Sequence, residues 1–286
     1  MPLTLRPGKP EDAPLSGTIC YEAFKTIAEQ HNFPPGYPST EAAVARMAAR
    51  LAHPGFYAVV AELDGRIVGS NFLDERSPIA GLGPVTVDPA VQNRAIGRYL
   101  MHAVLERAKA QRFQGVRLLH ATYHTRALSL YAKCGFVVRD MVAKVTGGPL
   151  HHQIPDYTVR LGNREDLEAC NQVCRHIHGH DRGAELREAM QRGAATVVEH
   201  GGRLSGYFTG SGVSGPHAVG ETTAAVEALM VAAVAVERGT FRVPLRNGEL
   251  LQWCLGHEFR VEVPETLMSL GFYQEPVGAF LPSGFY

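Results

Sequence analysis

The chain has 286 residues, 45% hydrophobic and 20% charged, an ordinary globular composition with length for about two domains. Lysine plus arginine equals aspartate plus glutamate, 28 of each, which excludes a global electrostatic pull toward nucleic acid or an anionic membrane. The start, Met1–Arg6, has no signal-peptide pattern, and the most apolar run, Ala224–Val236, is too short to span a bilayer and contains Glu227. Five cysteines, an odd number without framework spacing, fit a reducing cytoplasm.

In chain order, Leu3–Arg6 reads as a strand and Glu11-Asp12 as a helix start. A helix from about Ser16 to Gln30 follows, with Ile19, Ala23 and Ile27 on one face. The stretch His31–Pro38 holds too many prolines for a helix, so it is a loop. Ser39 caps a second helix, with Glu41 in its acidic first turn, running toward His53. Phe56–Leu63 and Arg66–Asp74 are strands joined at Asp64-Gly65, a strong hairpin signal. Val85–Val87 is a short apolar strand. After Pro89 and Gln92, Ile96, Leu100, Val104 and Ala108 recur at spacing four and mark a helix. A strand at Val116–Ala121, a helix at Thr125–Lys133 and strands after Gly135 complete the first half.

The join Gln92-Asn-Arg-Ala-Ile-Gly97 places small residues where a helix begins and its first amides have no internal partner. Those amides, the positive end of the helix dipole, and Arg94 and Arg98 together suit an anion such as a diphosphate. The rival reading at this point is an ordinary strand–helix junction.

This strand–turn–helix resembles the pyrophosphate-binding segment of the GNAT (GCN5-related N-acetyltransferase) superfamily: Gln92 and Gly97 match, and Ala95 replaces a glycine. Alanine is expected to sit in the helical first turn. The resemblance implies that Val85, Thr86 and Val87 pair by backbone with a pantetheine arm, their valine side chains inward. It also implies that Gln92, Asn93, Arg94, Ala95, Ile96, Gly97 and Arg98 hold the diphosphate of acetyl-CoA, the acyl donor. Thr125–Phe136 resembles the family's second signature through Tyr131 and Gly135-Phe136. Tyr131 then protonates the departing thiolate, phenol and thiol having reference pKa values of about 10 and 8.5; the rival role is a core aromatic. His124 stands where the family usually has asparagine and could hydrogen-bond the pantetheine.

The family often carries a carboxylate base on the strand entering the turn, but Ala80–Pro84 has none. Asp74 and Glu75 are the nearest candidates, as bases or as solvated strand-end charges, and deprotonation through water needs neither. The loop His31–Pro38 corresponds to the segment covering the acceptor, which makes Phe33 and Tyr37 substrate-binding walls, or surface aromatics. The apolar end Phe280–Tyr286 could place the Tyr286 carboxylate near the acceptor as a base, or merely seal a core.

The second half repeats the first. Leu3–Asp12 matches Tyr157–Asp166 at an offset of 154, Glu62–Gly69 matches Glu199–Gly206 at 137, and Ala127–Phe136 matches Leu250–Phe259 at 123. One unit therefore occurs twice, trimmed in two places, with Gly147–Pro155 as linker. In the second copy Glu221 stands opposite Gln92, Thr223 opposite Arg94, Val226 opposite Gly97 and Cys254 opposite Tyr131, so no diphosphate is expected there. Cys170 and Cys174, near His176, His178 and His180, read as core thiols before a polar loop, with a tetrahedral metal site as the alternative.

The resemblance implies an α/β (α+β) fold of two tandem GNAT-like domains, each a mixed, mostly antiparallel central sheet flanked by helices. Residues 1–148 form the catalytic domain and 149–286 a degenerate copy. The expected activity is direct acyl transfer from acetyl-CoA to a small-molecule or peptide amine, without metal, in a cytoplasmic monomer or homodimer. The rivals are a non-catalytic acyl-CoA sensor or scaffold, and another acyl-CoA reaction on the same fold.

Overall fold

The computed structural model describes residues 3–285. The chain divides into two compact units. One takes the residues up to Leu118 with Tyr123–Val137, the other Leu119–Thr122 with the residues from Val138 on.

The first unit runs β1 (Leu3–Pro7), α1 (Ala13–Gln30), α2 (Thr40–Leu51), β2 (Phe56–Leu63), β3 (Arg66–Asp74), β4 (Ile79–Leu82), β5 (Thr86–Val87), α3 (Ile96–Ala110), β6 (Gly115–Ala121) and α4 (Thr125–Lys133). Asp64 and Gly65 both take positive φ, 54° and 76°, as a two-residue hairpin turn between twisted strands requires. Ser39 caps α2 by accepting from the Ala42 amide at 3.2 Å. Helix α1 begins three residues before the sequence reading, because a short 3-10 turn at Pro10–Asp12 feeds it and Pro14 is tolerated in a first turn.

Strands β1, β2, β3 and β4 pair antiparallel in that order, and β4 pairs parallel with β6. Cys20 of α1 and Met47 of α2 share a core cluster with Ala58 and Phe72. On the other face, Asn71 donates to the Leu100 carbonyl of α3 at 3.3 Å. The sheet is thus sandwiched, its β3–β5 region facing helices on both sides.

The second unit repeats the order with β8 (Tyr157–Leu161), α5 (Leu167–His178), α6 (Gly183–Gln191), β9 (Thr196–His200), β10 (Arg203–Phe208), β11 (Ala218–Gly220), α7 (Thr223–Ala233), β12 (Gly239–Pro244), α8 (Gly248–Gly256), β13 (Arg260–Gly271) and β14 (Ala279–Leu281). Strand β7 (Val137–Gly147), ahead of the linker, groups with this unit from Val138 on and pairs antiparallel with β12. A second antiparallel sheet runs β14, β11, β10, β9, β8. Cys170 and Cys174 lie in a core with Val173, Ile177 and Leu186. Among the described residues no His, Cys, Asp and Glu group is arranged to hold a metal, and no helix is long and apolar enough to cross a membrane.

The repeat extends to individual bonds. Arg6 donates to Glu62 at 2.9 Å and to both oxygens of Asp12 at 2.8 Å, while Lys9 N–H donates to Asp12 at 2.7 Å. Arg160 donates to Glu199 and to both oxygens of Asp166 at 2.8 Å, and Asn163 N–H to Asp166 at 2.9 Å. These bonds, those from the arginine above all, hold both aspartates below the usual carboxylate range. A depressed folded-state pKa gives stability that is complete above the ordinary value near 4 and lost as pH falls through the folded one. The melting temperature should therefore drop between about pH 5 and pH 3, and Asp12→Asn combined with Asp166→Asn should flatten that drop while lowering the neutral-pH value. Parallel melting curves for variant and wild type across this range would remove the two locks as its source.

Candidate active site

Strand β4 runs beside β6 only over Ile79–Gly81 opposite Gly115–Arg117. The chain then leaves the ladder through Gly83-Pro84, a cis peptide, and β5 pairs instead with Gly69-Ser70 of β3. Here one inward side chain differs from expectation. Thr86 is the buried one, its hydroxyl 3.2 Å from that of Ser70, while Val85 and Val87 are only half-buried. Alternation along the strand leaves a single inward position, and the Ser70 partner makes threonine affordable there.

The turn after β5 is built by its own side chains. Asp88 accepts from the Ala90 amide at 2.9 Å, and the Gln92 amide group donates to the Val87 carbonyl at 3.1 Å. Asn93 and Ala95 both lie in the left-handed region, at φ 65° and 61°. Ala95 is thus the residue before α3 and not part of its first turn, which corrects the sequence reading. A non-glycine residue there carries strain of roughly 1–2 kcal/mol. The Arg98 and Tyr99 amides both turn to the Ala95 carbonyl, at 3.0 and 3.2 Å. No side chain caps this helix end, and Arg94 and Arg98 stand exposed beside it. A Cβ on Gly97 would meet Leu130 at 3.4 Å and Val87 at 3.9 Å, so α3, α4 and β5 close on this point.

Helix α7 of the second unit ends differently. Thr222 caps it by accepting from the Ala225 amide at 3.1 Å, with the Tyr157 hydroxyl 2.8 Å from the Thr222 hydroxyl. Glu221 pairs with Arg203 at 2.8 Å. One helix end is open and cationic; its counterpart is capped and flanked by a carboxylate.

Tyr131 is 8% exposed on the inner face of α4, its ring 6.3 Å from that of Phe136. Burial, and then the neighbouring Cys134, push its phenol well above the usual value, so it remains a proton donor at neutral pH. His124 stands half-buried at the N-terminus of the same helix.

The two carboxylates at the end of β3 are engaged. Asp74 accepts from Arg76 at 2.6 and 2.8 Å, both side chains under a tenth exposed. Glu75 accepts from Arg107 at 2.8 and 3.0 Å. The sheet register places Asp74 and Arg117 on one face, either side of Gly81, which has no side chain. Both carboxylates are thus committed to arginine partners. Arg117 went unread in the sequence, although an arginine within the apolar run Val116–Leu119 is itself a signal of a specific buried role.

Of the loop aromatics, Phe33 stacks on Tyr123 at 4.5 Å, as does His31 at 5.2 Å. Tyr37 turns inward to pack with Phe24, Cys20 and Met47. Tyr37 remains half-buried there. Tyr286 lies outside the described residues.

The first unit thus sets an uncapped, arginine-flanked helix end beside a parted strand, on a mixed sheet with helices on both faces. Residues 22–136 match the family described as the Acetyltransferase (GNAT) family. Among solved structures, an acetyltransferase candidate from Pyrococcus horikoshii matches over 97% of this chain and 94% of its own, at 18% identity and TM-score 0.73. A GCN5-related N-acetyltransferase from Sphaerobacter thermophilus matches over 96% and 97%, at 13% identity and TM-score 0.60. A tandem GNAT protein from the clavulanic acid biosynthesis pathway matches over 94% and 98%, at 13% identity and TM-score 0.57. At these identities the likeness is one of fold. No match is found among curated proteins.

Proposed function

We propose that the chain is an acyl-CoA-dependent N-acyltransferase, with acetyl-CoA as donor, acting through residues 1–148. The observation that carries this reading is the uncapped α3 terminus flanked by Arg94 and Arg98, set against the capped α7 terminus in the second unit. The diphosphate binds the first-turn amides between Ala95 and Gly97, where charge and unsatisfied donors coincide. The pantetheine arm lies along the backbone of Val85–Val87, with His124 as a side-chain partner.

The amine nitrogen attacks the thioester carbonyl, and the tetrahedral intermediate collapses with cleavage of the carbon–sulfur bond. Tyr131 gives its proton to the leaving thiolate and recovers one, through water, from the ammonium formed on attack. With Asp74 and Glu75 committed to arginines, solvent takes the base role. Residues 149–286 serve as a structural or substrate-shaping half.

The engaged carboxylates also favour a second reading, a sensor or scaffold that binds acyl-CoA without turning it over. Calorimetry with coenzyme A, followed by free-thiol release from acetyl-CoA over a panel of amines, peptides and aminoglycosides, separates the two. The expected result is one site per chain and amine-dependent thiol release. Two sites per chain would remove the one-domain assignment, and binding without release from any amine would favour the sensor.

A further inference from the structure

The loop His31–Pro38 is anchored at both ends of its length. At its start, the Phe33 amide donates to the Ala28 carbonyl at 2.9 Å, and the His31 ring is 2.9 Å from the Ile27 carbonyl. Both aromatic rings, His31 and Phe33, then lie on Tyr123. Tyr123 directly precedes His124 and the helix that carries Tyr131, and its carbonyl accepts from the Thr125 amide at 3.0 Å.

The far end is held from below. Arg50, in the last turn of α2, is 7% exposed, and its guanidinium donates to the Tyr37 hydroxyl. Tyr37 in turn donates to the thiol of Cys20 on α1, which has no exposed surface. Burial pushes Tyr37 and Cys20 each up to about 12, so both stay neutral at physiological pH, and Arg46 adds a second positive charge nearby. A buried guanidinium that uses a phenol oxygen binds it through a charge-assisted bond, stronger than a neutral one. The chain Arg50–Tyr37–Cys20 therefore ties the loop to both α1 and α2.

We propose that Arg50 is a positioning residue which, acting through Tyr37, holds the loop His31–Pro38 against Tyr123 and so sets the acceptor side of the first unit. This role rests on the acyltransferase reading for what the loop covers, but the anchoring itself does not. The held loop presents Pro34, Pro35 and Gly36 outward, all exposed, the two prolines with a fixed φ. Its aromatic rings are spent on fixing it rather than on contacting an acceptor.

Tyr37→Phe is the sharpest test, because it keeps the ring and removes only the oxygen that Arg50 and Cys20 share. In the full chain, hydrogen exchange of the loop amides should quicken about tenfold or more, the scale of one lost buried hydrogen bond. Exchange in α3 should stay within about twofold of wild type. Thiol release from acetyl-CoA without any amine should rise several-fold, because water reaches the thioester more freely, while the calorimetric affinity for coenzyme A stays unchanged. Arg50→Lys should fall between wild type and Tyr37→Phe, since an ammonium keeps the charge but loses the planar fork.

Unchanged loop exchange would overturn the proposal, as would faster exchange throughout the unit, which would mean a merely structural role. Loop-confined acceleration with unaltered amine-free thiol release would also overturn it, by removing the acceptor-side role. Failure of the wild-type protein to bind coenzyme A would instead sink the acyltransferase reading, and the exchange result would stay readable without it.

Discussion

Replacement of Tyr131 by phenylalanine should lower turnover by about ten- to a thousandfold, the range expected for loss of a general acid. The ring keeps its place on the inner face of α4, beside Phe136, so packing changes little. Only the proton is removed. Acetyl-CoA affinity should therefore hold within a small factor, and the loss should appear in kcat and in kcat/KM equally. The effect should shrink for a donor whose thiol is more acidic, because a better leaving group needs less protonation. Burial raises the phenol, so the tyrosine stays protonated well above neutral pH and is not itself the source of any activity lost between pH 7 and pH 9. Unchanged turnover under conditions where chemistry limits the rate would return Tyr131 to a plain core aromatic.

Gly97→Val should weaken coenzyme A binding by at least about a hundredfold, or roughly 2.7 kcal/mol. The Cα–Cβ bond of a helical residue leans toward the helix N-terminus, so both γ-methyls would project over the amides that receive the diphosphate. The fold should survive. A Cβ here meets Leu130 at 3.4 Å and Val87 at 3.9 Å, ordinary contacts, and valine is no worse than glycine in a helix. Gly97→Ala should accordingly bind nearly as wild type does. The complementary change, Val226→Gly, opens a cavity in a packed core and should cost stability of order 2–4 kcal/mol while leaving the stoichiometry at one. Calorimetry beside thermal melts reads all three variants, and full-strength binding by Gly97→Val would move the diphosphate elsewhere.

Where pattern and local chemistry agree, the sequence was enough. The Asp64-Gly65 turn, the Ser39 cap and the helix Thr125–Lys133 each rest on a few adjacent residues, and each stands where those residues place it. The repeat was legible because Arg6, Asp12 and Glu62 recur at readable offsets. What escaped was set by distant partners or by backbone choice. Nothing in an alanine signals a left-handed conformation, so Ala95 was misplaced by one structural position. Asp74 sits two residues from its arginine, but Glu75 is tied to Arg107, 32 residues on, and only the packing of α3 reveals that. The partner of Tyr37, Arg50, lies in a separate helix and was not legible from the loop.

The arginine lock that opens each unit also relates them. It joins the first strand to the strand beside it and to the turn that starts the first helix, in the same geometry twice over. Glycine, glutamine and arginine at the mouth of α3 stand opposite valine, glutamate and threonine at α7. Read as descent from a doubled gene, the two halves agree at some positions and differ at others. The lock is present in both halves, whereas the uncapped helix end flanked by arginines is present in one. Overlaying the halves position by position therefore separates the residues that serve the shared architecture from those particular to one half.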